Sequence, residues 1–345
     1  MIRLTWLQFR AQALIAAAAL AAFGALLAAT GPHLASLYAA SGITGCHGGT
    51  CATAASGFLS KLAATSPYPI MYVLGIGLIL AAPAIIGIFW GAPLIARELE
   101  TRTFALAWAQ SITRTRWLAV KLTLTGLAAV AVTEGLSLMY GWWAAPIGQA
   151  ARLGYSGQPV GMGPFSLPAF DAHGITPLGY AAFAFTLGVT AGVLLRRAVP
   201  AMAITLAIFA AVQIAFPLAI RPHLFPAHHT SAALGSYNGT THVSGSDFAF
   251  TVDYLPSQPG AWILSSGAVN AAGQPVSTIP AACAKMPAGG PGMLPCLTSQ
   301  GTRVAISYQP ASRYWAFQAT ETAIYLALAL VLAGYCFWQL NRRTT

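Results

Sequence analysis

Two long apolar runs flank a pair of arginines in the segment Leu178–Ile220, which reads LGYAAFAFTLGVTAGVLLRRAVPAMAITLAIFAAVQIAFPLAI. Each run has close to the about 20 residues that an α-helix needs to cross the hydrocarbon core of a bilayer. Because only a short turn around Arg196 and Arg197 separates them, the two helices are predicted to form a hairpin with a basic, cytoplasmic turn. Pro200 fits the first turn of the second helix, where its missing N–H costs nothing.

The overall composition agrees with a chain that crosses the membrane several times. Of its 345 residues, 57% are hydrophobic and only 7% are charged, whereas soluble domains carry about 25% charged residues. An ordinary soluble enzyme, a coiled coil and a disordered protein are therefore excluded. The net charge of +10 does not indicate a nucleic-acid partner, because in a membrane protein the position of the basic residues matters more than their sum.

Six apolar stretches are long enough to span a bilayer. They are Ala11–Thr30, Ile70–Ala92, Leu118–Trp143, Leu178–Leu195, Val199–Ile220 and Trp315–Leu340. The first follows an aromatic, amphipathic start, Met1–Arg10, which is predicted to lie as an interfacial helix on the membrane surface. A cleaved signal peptide is the alternative for this region, although the apolar run exceeds the usual signal core of about 7–15 residues.

The distribution of Lys and Arg predicts the orientation. With a cytoplasmic N-terminus, eleven of the seventeen basic residues fall in short inner segments, namely Arg3, Arg10, Arg97, Arg102, Arg114, Arg116, Lys121, Arg196, Arg197, Arg342 and Arg343. The remaining six are spread over long outer loops, namely Lys61, Arg152, Arg221, Lys285, Arg303 and Arg313. Because a short-loop bias sets topology, both termini are predicted to be cytoplasmic.

The cysteines support the same orientation. Cys46 and Cys51 fall in the first outer loop, Cys283 and Cys296 in the last, and Cys336 lies near the inner end of the sixth helix. Disulfides form in oxidising compartments and are rare in the cytosol. Two outer disulfides, Cys46 with Cys51 and Cys283 with Cys296, are therefore expected.

The segment 221–314 is the one predicted outer segment large enough to fold. Phe248, Phe250, Val252 and Tyr254 alternate with smaller or polar residues, and Val304–Tyr308 also has an extended pattern. The predicted fold class is thus an all-α polytopic membrane protein with a small β-containing extracytoplasmic cap between helices five and six. The predicted domains are a membrane domain, 1–220, an extracytoplasmic domain, 221–314, and a sixth helix with a short cytoplasmic tail, 315–345.

The sequence lacks the motifs of the common nucleotide-binding and hydrolytic enzymes. A phosphate-binding P-loop ends in Gly-Lys followed by Ser or Thr, but Ser60, Val120 and Ala284 precede the three lysines. No His-Glu-x-x-His or Gly-x-Ser-x-Gly motif occurs either. The chain is therefore expected not to be an enzyme, and any ATP hydrolysis is expected in a separate subunit.

The predicted inner segment between helices two and three carries Glu98 and Glu100. It also carries Phe104, Trp108 and Ile112 at a spacing of four residues, which would form one apolar stripe on a helix. Such a helix, at about 97–116, could seat in a groove of a partner protein. The alternative is a helix lying flat on the membrane without a partner.

The order of residues in this segment resembles the cytoplasmic signature of permease subunits in bacterial ABC-2-type exporters. The matching stretches are Glu98-x-Glu100-x-x-Thr103, Ser111–Arg114 and Trp117–Lys121, preceded by Phe89–Glu98, and Tyr308–Trp315 near the end of the chain. The six-helix topology extends the resemblance over most of the chain. Arg102 departs from the pattern, because relatives often have glycine before the threonine.

The resemblance implies a multi-pass permease of the bacterial cell membrane that exports an amphiphilic or hydrophobic compound. It also implies dimerisation with a second copy or a similar permease, contact with membrane lipid, and a separate ABC ATPase that binds ATP and Mg, so that this chain holds no cofactor. The ATPase-coupling residues would be Glu98, Glu100, Arg102, Thr103, Phe104, Trp108, Ile112 and Arg114.

Two carboxylates fall within the predicted spans. Glu321 lies about 9 Å of helix below Trp315, and Glu134 about 14 Å before Trp143. An intramembrane acid is costly and marks an interior or pathway position. Both residues are candidates for the transport pathway, and the alternative is a protonated or hydrogen-bonded structural role.

Small residues recur four apart in two of the predicted spans, as Gly87 and Gly91 in the second and Gly188 and Gly192 in the fourth. This spacing lets helices approach closely in lipid. The alternative is that the pairs have no packing role and occur because glycine is frequent in this chain. Metal binding by the outer histidines is not expected, because their spacing matches no recognised ligand set.

Two other functions stay open at this point. One is a membrane-anchored sensor or assembly factor whose outer cap binds a ligand. The other is a membrane-embedded enzyme that uses Glu134 and Glu321 as an acid and base, which the lack of a nearby nucleophile or metal motif disfavours.

Overall fold

The computed structural model describes residues 2–47, 50–101, 113–153, 160–234, 239–244, 247–252, 255, 257–284, 286 and 292–342. Among them, six helices are long and apolar enough to cross a membrane, namely Phe9–Ala39, Tyr68–Glu100, Thr115–Leu153, Thr176–Leu195, Ala198–His223 and Ala311–Arg342. These are called the first to sixth spans below. Every span predicted from the sequence lies within one of them, so the prediction of six spans is confirmed.

The first span continues without a break from the N-terminal residues. Helix α1, Ile2–Ala39, joins the predicted interfacial helix and the first predicted span in one helix. The disulfide between Cys46 and Cys51 follows, and helix α2, Thr50–Ala64, lies in the first loop. Although α2 was not predicted, its buried residues Ala55, Phe58, Leu59 and Leu62 recur at helical spacing and join the core.

The second span is interrupted near its middle. Helix α3, Tyr68–Ile86, passes through a π-helical turn, Gly87–Gly91, into helix α4, Ala92–Glu100. Helix α5, Arg114–Leu153, forms the third span and has 40 residues. At 1.5 Å per residue it is about 60 Å long, twice the hydrocarbon thickness, so it must extend beyond the bilayer.

The fourth span is the centre of the bundle. It is helix α7, Thr176–Leu195, and a short helix α6, Leu167–Ala172, precedes it. Of its most apolar 18 residues, 72% are buried, against 6% in the first span. Helix α7 packs against the second, third, fifth and sixth spans, whereas α1 packs on α5 at the edge of the bundle.

The fifth span is helix α8, Ala198–Ala215, followed by a π-helical turn, Phe216–Ile220, and a 3-10 turn, Arg221–His223. Because successive spans run in opposite directions, Glu98 of the second span and Ala198 of the fifth lie at one end of the bundle, called the Glu98 end. The opposite end is called the Arg221 end.

In the described part of the chain between the fifth and sixth spans, five segments are strands. They are β1, His228–Ala233, β2, Gly239–Ser244, β3, Asp247–Val252, β4, Trp262–Val269, and β5, Arg303–Gln309. Strands β1, β5 and β4 form an antiparallel sheet in that order, with Ile306 of β5 opposite Thr230 and Ser266. Strands β2 and β3 form a separate antiparallel pair, with Phe250 opposite Thr241.

Alternating residues of these strands form a small apolar core. Phe248, Phe250 and Val252 point inward from β3, and Val304 and Ile306 point inward from β5. Both predicted extended runs therefore lie in strands, although Tyr254 lies outside the described residues. The predicted disulfide is formed and joins Cys283 to Cys296 of helix α9, Met293–Ser299. Cys336, in the sixth-span helix α10, Tyr314–Arg342, is a buried free cysteine.

The second and fourth spans cross with their backbones in contact. A Cβ added to Gly188 would lie 2.3 Å from the Gly87 carbonyl oxygen, and one added to Gly192 would lie 2.5 Å from that of Ala92. Gly91 approaches the Phe185 carbonyl oxygen equally closely, at 2.5 Å from its added Cβ. The two glycine pairs thus meet in one crossing, which explains why small residues are needed there.

Candidate functional site

Four polar side chains meet at the Arg221 end of the bundle. Asp171 comes from α6, Tyr180 from the fourth span, Arg221 from the turn that ends the fifth span and Glu321 from the sixth span. All four are buried. They are called the Arg221 cluster below, and they join four separate segments of the chain.

Two hydrogen bonds join Arg221 and Glu321 in this cluster. Arg221 Nε donates to Glu321 Oε2 at 2.8 Å, and Arg221 Nη2 donates to Glu321 Oε1 at 2.8 Å. Both residues have 0% exposed surface. A buried charge is tolerated when it is paired and hydrogen-bonded, and a guanidinium holding both oxygens of a carboxylate meets this need.

Asp171 and Tyr180 complete the cluster. Arg221 Nη2 donates a close hydrogen bond to Asp171 Oδ1. The Tyr180 hydroxyl lies 2.6 Å from Glu321 Oε1 and 3.0 Å from Asp171 Oδ1, so its single proton is placed between two carboxylates. Arg221 Cζ also lies 4.2 Å from the centre of the Phe170 ring, a favourable cation–π distance.

The cluster holds one more potential negative charge than positive charge. Burial raises the pKa of Asp171 to about 6, because the loss of hydration outweighs the attraction of Arg221. The charge of Asp171 therefore changes in mildly acidic solution. Arg221 Nη1 is buried and has no hydrogen-bond partner among the residues that the structure describes, so the two N–H groups of this nitrogen are unused in the cluster.

One turn earlier in the sixth span, Gln318 holds the start of the fourth span. Its Oε1 accepts hydrogen bonds from the backbone N–H groups of Ile175 at 3.0 Å and Thr176 at 3.1 Å. Its Nε2 donates to the Phe170 carbonyl oxygen at 3.1 Å. The N–H groups at a helix start lack partners within the helix, so Gln318 caps this buried end.

The two carboxylates predicted for the transport pathway have different surroundings. Glu321 is fully paired within the Arg221 cluster. Glu134 is only partly buried, and its Oε2 is enclosed without a hydrogen-bond partner in the described part of the chain. A buried carboxylate oxygen without a hydrogen bond is costly. Glu134 therefore has an oxygen that could bind a further donor, whereas both oxygens of Glu321 are already hydrogen-bonded.

The structure also shows what holds the two predicted coupling carboxylates at the Glu98 end. Glu98 forms an ion pair with Lys121 of the third span, and Lys121 is buried with its Nζ 5.0 Å from the centre of the Trp117 ring. Glu100 Oε2 accepts from the backbone N–H of Ala198 at 3.3 Å, at the start of the fifth span. The end of the second span is thus tied to two other spans.

The other predicted coupling residues lie outside the described part of the chain. Arg102, Thr103, Phe104, Trp108 and Ile112 fall in the range 102–112, which the structure does not describe. For Arg114, the structure describes the backbone that begins α5.

Arg221 and Asp171 were not recognised as site residues from the sequence. The charge distribution along the sequence places Arg221 among the cations of the outer loop, but Arg221 is buried, because the turn that ends the fifth span directs it toward the sixth. The available signal was an arginine at the end of an apolar run in a chain with an intramembrane glutamate, Glu321, that needs a partner.

Among the cavities in the described part of the chain, one lies at each end of the bundle. One, of about 380 Å³, is at the Glu98 end, next to Glu98 and Lys121. The other, of about 480 Å³, is at the Arg221 end between the third and sixth spans. The second cavity is lined by Ala169 and His173, which flank Asp171 along the chain.

Comparison with known protein families identifies a family to which most of the membrane-spanning part belongs. The model of the family described as "ABC-2 membrane transporter related" matches residues 17–221, more than half of the chain. This range contains most of the first span, all of the next three and the fifth up to Arg221. No curated protein and no solved structure matches the chain significantly.

Proposed function

The chain belongs to the ABC-2 membrane transporter related family, and from this premise we propose that it is the permease subunit of an ATP-driven exporter. A separate ABC ATPase would bind ATP and Mg and supply the energy. A second copy of the chain, or a similar permease, would complete the conduit in a bacterial cell membrane, and the cargo would be an amphiphilic or hydrophobic compound.

We place the Glu98 end and both termini in the cytoplasm. The excess of Lys and Arg in the short segments at this end supports the orientation. The disulfides Cys46–Cys51 and Cys283–Cys296 lie in loops at the opposite end, where an oxidising exterior would preserve them. The strands β1–β5 would then form an extracytoplasmic cap.

The observation that carries the proposal is the pair of contacts made by the end of the second span. Glu98 is bound to Lys121 in the third span and Glu100 to the start of the fifth. The range 102–112 that follows is where the ATPase would dock. A displacement of that range would therefore reach three spans directly.

Transport would follow from a shift between two arrangements of these spans. A partner changes such an equilibrium only if it binds the two states with different affinity. ATP-dependent closure of the ATPase would supply that difference at the Glu98 end. At the Arg221 end, the Arg221 cluster would hold the fourth, fifth and sixth spans together in one state, while Glu134 would face the pathway.

The direct test is isolation of the full chain from its native membrane in a mild detergent, followed by mass spectrometry of the proteins bound to it. An ATPase with a Walker motif, in stoichiometric amount, is the expected result. A Trp108→Ala variant should insert normally but lose the ATPase, whereas Trp338→Ala, exposed at the end of the sixth span, should retain it. Purification of the chain without any ATPase, but with full transport activity, would contradict the proposal.

A further inference from the structure

The cavity at the Arg221 end exists because the third span carries small residues there. Gly141 and Gly148 of α5 line it, and a Cβ added to either would meet no atom within 4 Å. Ala145, between them, also lines the cavity. The volume of about 480 Å³ lies within the range of about 300–1,000 Å³ of small-molecule sites.

Aromatic side chains form part of the cavity walls, and two of them are exposed. Tyr72, Trp142, Tyr314 and Trp315 contribute to the walls. Trp142 and Trp315 are 61% and 62% exposed, which places them at the opening between the third and sixth spans. Tryptophan and tyrosine are typical of the membrane–water interface, so an amphiphile could enter sideways from the bilayer.

One charge lies at the outer end of this cavity. Of the described residues that line it, Arg152 alone carries a full charge at neutral pH. Its side chain is exposed and has no carboxylate partner in the described part of the chain. A cation over aromatic walls favours an anionic head group and repels a cationic one.

A neutral acceptor also lines the cavity. His173 Nδ1 is 2.7 Å from the Ala169 carbonyl oxygen, so Nδ1 carries the proton and Nε2 is the acceptor. Burial lowers the pKa of His173, which keeps the ring neutral at pH 7. A hydroxyl or amide N–H on the body of a ligand would satisfy it.

We propose that this cavity binds an anionic amphiphile whose head group pairs with Arg152 and whose apolar body lies against the aromatic walls. The ligand would be the class of compound that the transporter exports, and in that respect the proposal rests on the proposed function. It goes further by assigning the sign of the charge, the location and the residues that select the ligand.

The test uses the full chain in phosphatidylcholine nanodiscs at neutral pH. The probe is a hexadecyl sulfate that carries a photoactivatable diazirine near the end of its chain, and crosslinked residues are mapped by mass spectrometry. We expect saturable crosslinks around Trp142 and Trp315. Unlabelled hexadecyl sulfate should displace the probe, whereas hexadecanol and hexadecyltrimethylammonium should not.

Two variants test the assigned residues against matched controls. Arg152→Gln should weaken saturable labelling at least tenfold, since it removes the charge-assisted hydrogen bonds to the head group. Arg303→Gln, which removes another exposed arginine, should not. Gly141→Leu should fill the cavity and abolish labelling, whereas Gly77→Leu, at an equally open glycine of the second span, should retain it.

Several results would overturn the proposal. The first is unchanged labelling in Arg152→Gln or Gly141→Leu. The second is equal competition by the cationic amphiphile. The third is disulfide crosslinking between two copies that carry Leu138→Cys, which would show that a second chain covers the opening of the cavity. Because binding is measured without the ATPase, a chain that binds the probe but has no ATPase partner would refute the proposed function alone. A chain with an ATPase and no Arg152-dependent labelling would refute only the ligand site.

Discussion

Arg221 and Glu321 lie 100 residues apart in the sequence and form a fully buried ion pair through two hydrogen bonds of 2.8 Å. The strands β1–β5 all lie in the part of the chain between these two residues. The pair therefore joins the two ends of the segment that carries the strands. It also fixes the end of the fifth span to the first part of the sixth. Asp171 and Tyr180 extend the same network to the fourth span.

Replacement of Arg221 by glutamine should destabilise the chain strongly. Removing one partner of a buried pair leaves the other charge uncompensated and costs about 3–5 kcal/mol. Thermal unfolding in detergent should show this loss for Arg221→Gln. Arg303→Gln is the control, because a surface substitution of this kind changes stability by about 0.5 kcal/mol or less. Equal unfolding temperatures for the two variants would show that the Arg221 cluster contributes no net stability.

The stability of the chain should depend on pH through Asp171. Because burial raises the pKa of this carboxyl from 3.8 to about 6, the folded chain holds the proton more tightly than the unfolded chain does. The stabilisation is fully present below the unfolded pKa and is lost as the pH rises through about 6. The unfolding temperature of the wild type should therefore fall more than that of Asp171→Asn between about pH 5 and about pH 7. Parallel curves for the two chains would contradict this assignment.

The glycine crossing should not accept even one added methyl group. In Gly188→Ala the new Cβ would lie 2.3 Å from the Gly87 carbonyl oxygen and 2.8 Å from the backbone nitrogen of Ala92. Since backbone cannot yield as a side chain can, we expect a large loss of folded protein, measured by size-exclusion chromatography of the fluorescently tagged chain. Gly77→Ala, with no atom within 4 Å of its added Cβ, should be neutral or more stable by about 1 kcal/mol. A normal yield of Gly188→Ala would mean that the two helices are further apart.

The Glu98–Lys121 pair should behave as a unit. Glu98→Gln leaves Lys121 buried without its counter-charge, so stability should fall by about 3–5 kcal/mol. Adding Lys121→Met should restore most of it, because a neutral pair of similar size removes the uncompensated charge. Glu100→Gln should cost less than about 1 kcal/mol, since Glu100 is exposed and acts on a helix start. Thermal unfolding of the wild type, Glu98→Gln, Lys121→Met and the double variant gives the coupling energy, and a value near zero would contradict a stabilising pair.

The spans were predictable because each depends on a local property of the chain, the length of an apolar run. The two glycine pairs were visible for the same reason, but their mutual contact depends on which helices are neighbours. The sequence around Glu321 does not predict its partner. Arg221 adjoins the end of a span, where the side chain of an arginine usually faces water or lipid head groups. Only the packing of the fifth span beside the sixth turns Arg221 inward.

The helix α2 was missed for a different reason. Its sequence is rich in alanine, serine and threonine, and its apolar face is narrow, with Phe58, Leu59 and Leu62 as the large buried residues. Such a segment is as compatible with a loop as with a helix. The closed disulfide Cys46–Cys51 lies at its start, and its apolar face is used only because the second and third spans are there to receive it.

At the contact between Gly188 and Gly87, no side chain lies between the backbones of the second and fourth spans. A leucine or methionine at such a point could change rotamer and absorb a push of an ångström or two, but a carbonyl oxygen against a Cα has no such freedom. The two spans must therefore slide along or pivot about this point together. A force applied to the second span beside Glu98 would therefore be passed to the fourth span at the glycine crossing. The fourth span would rotate about that crossing.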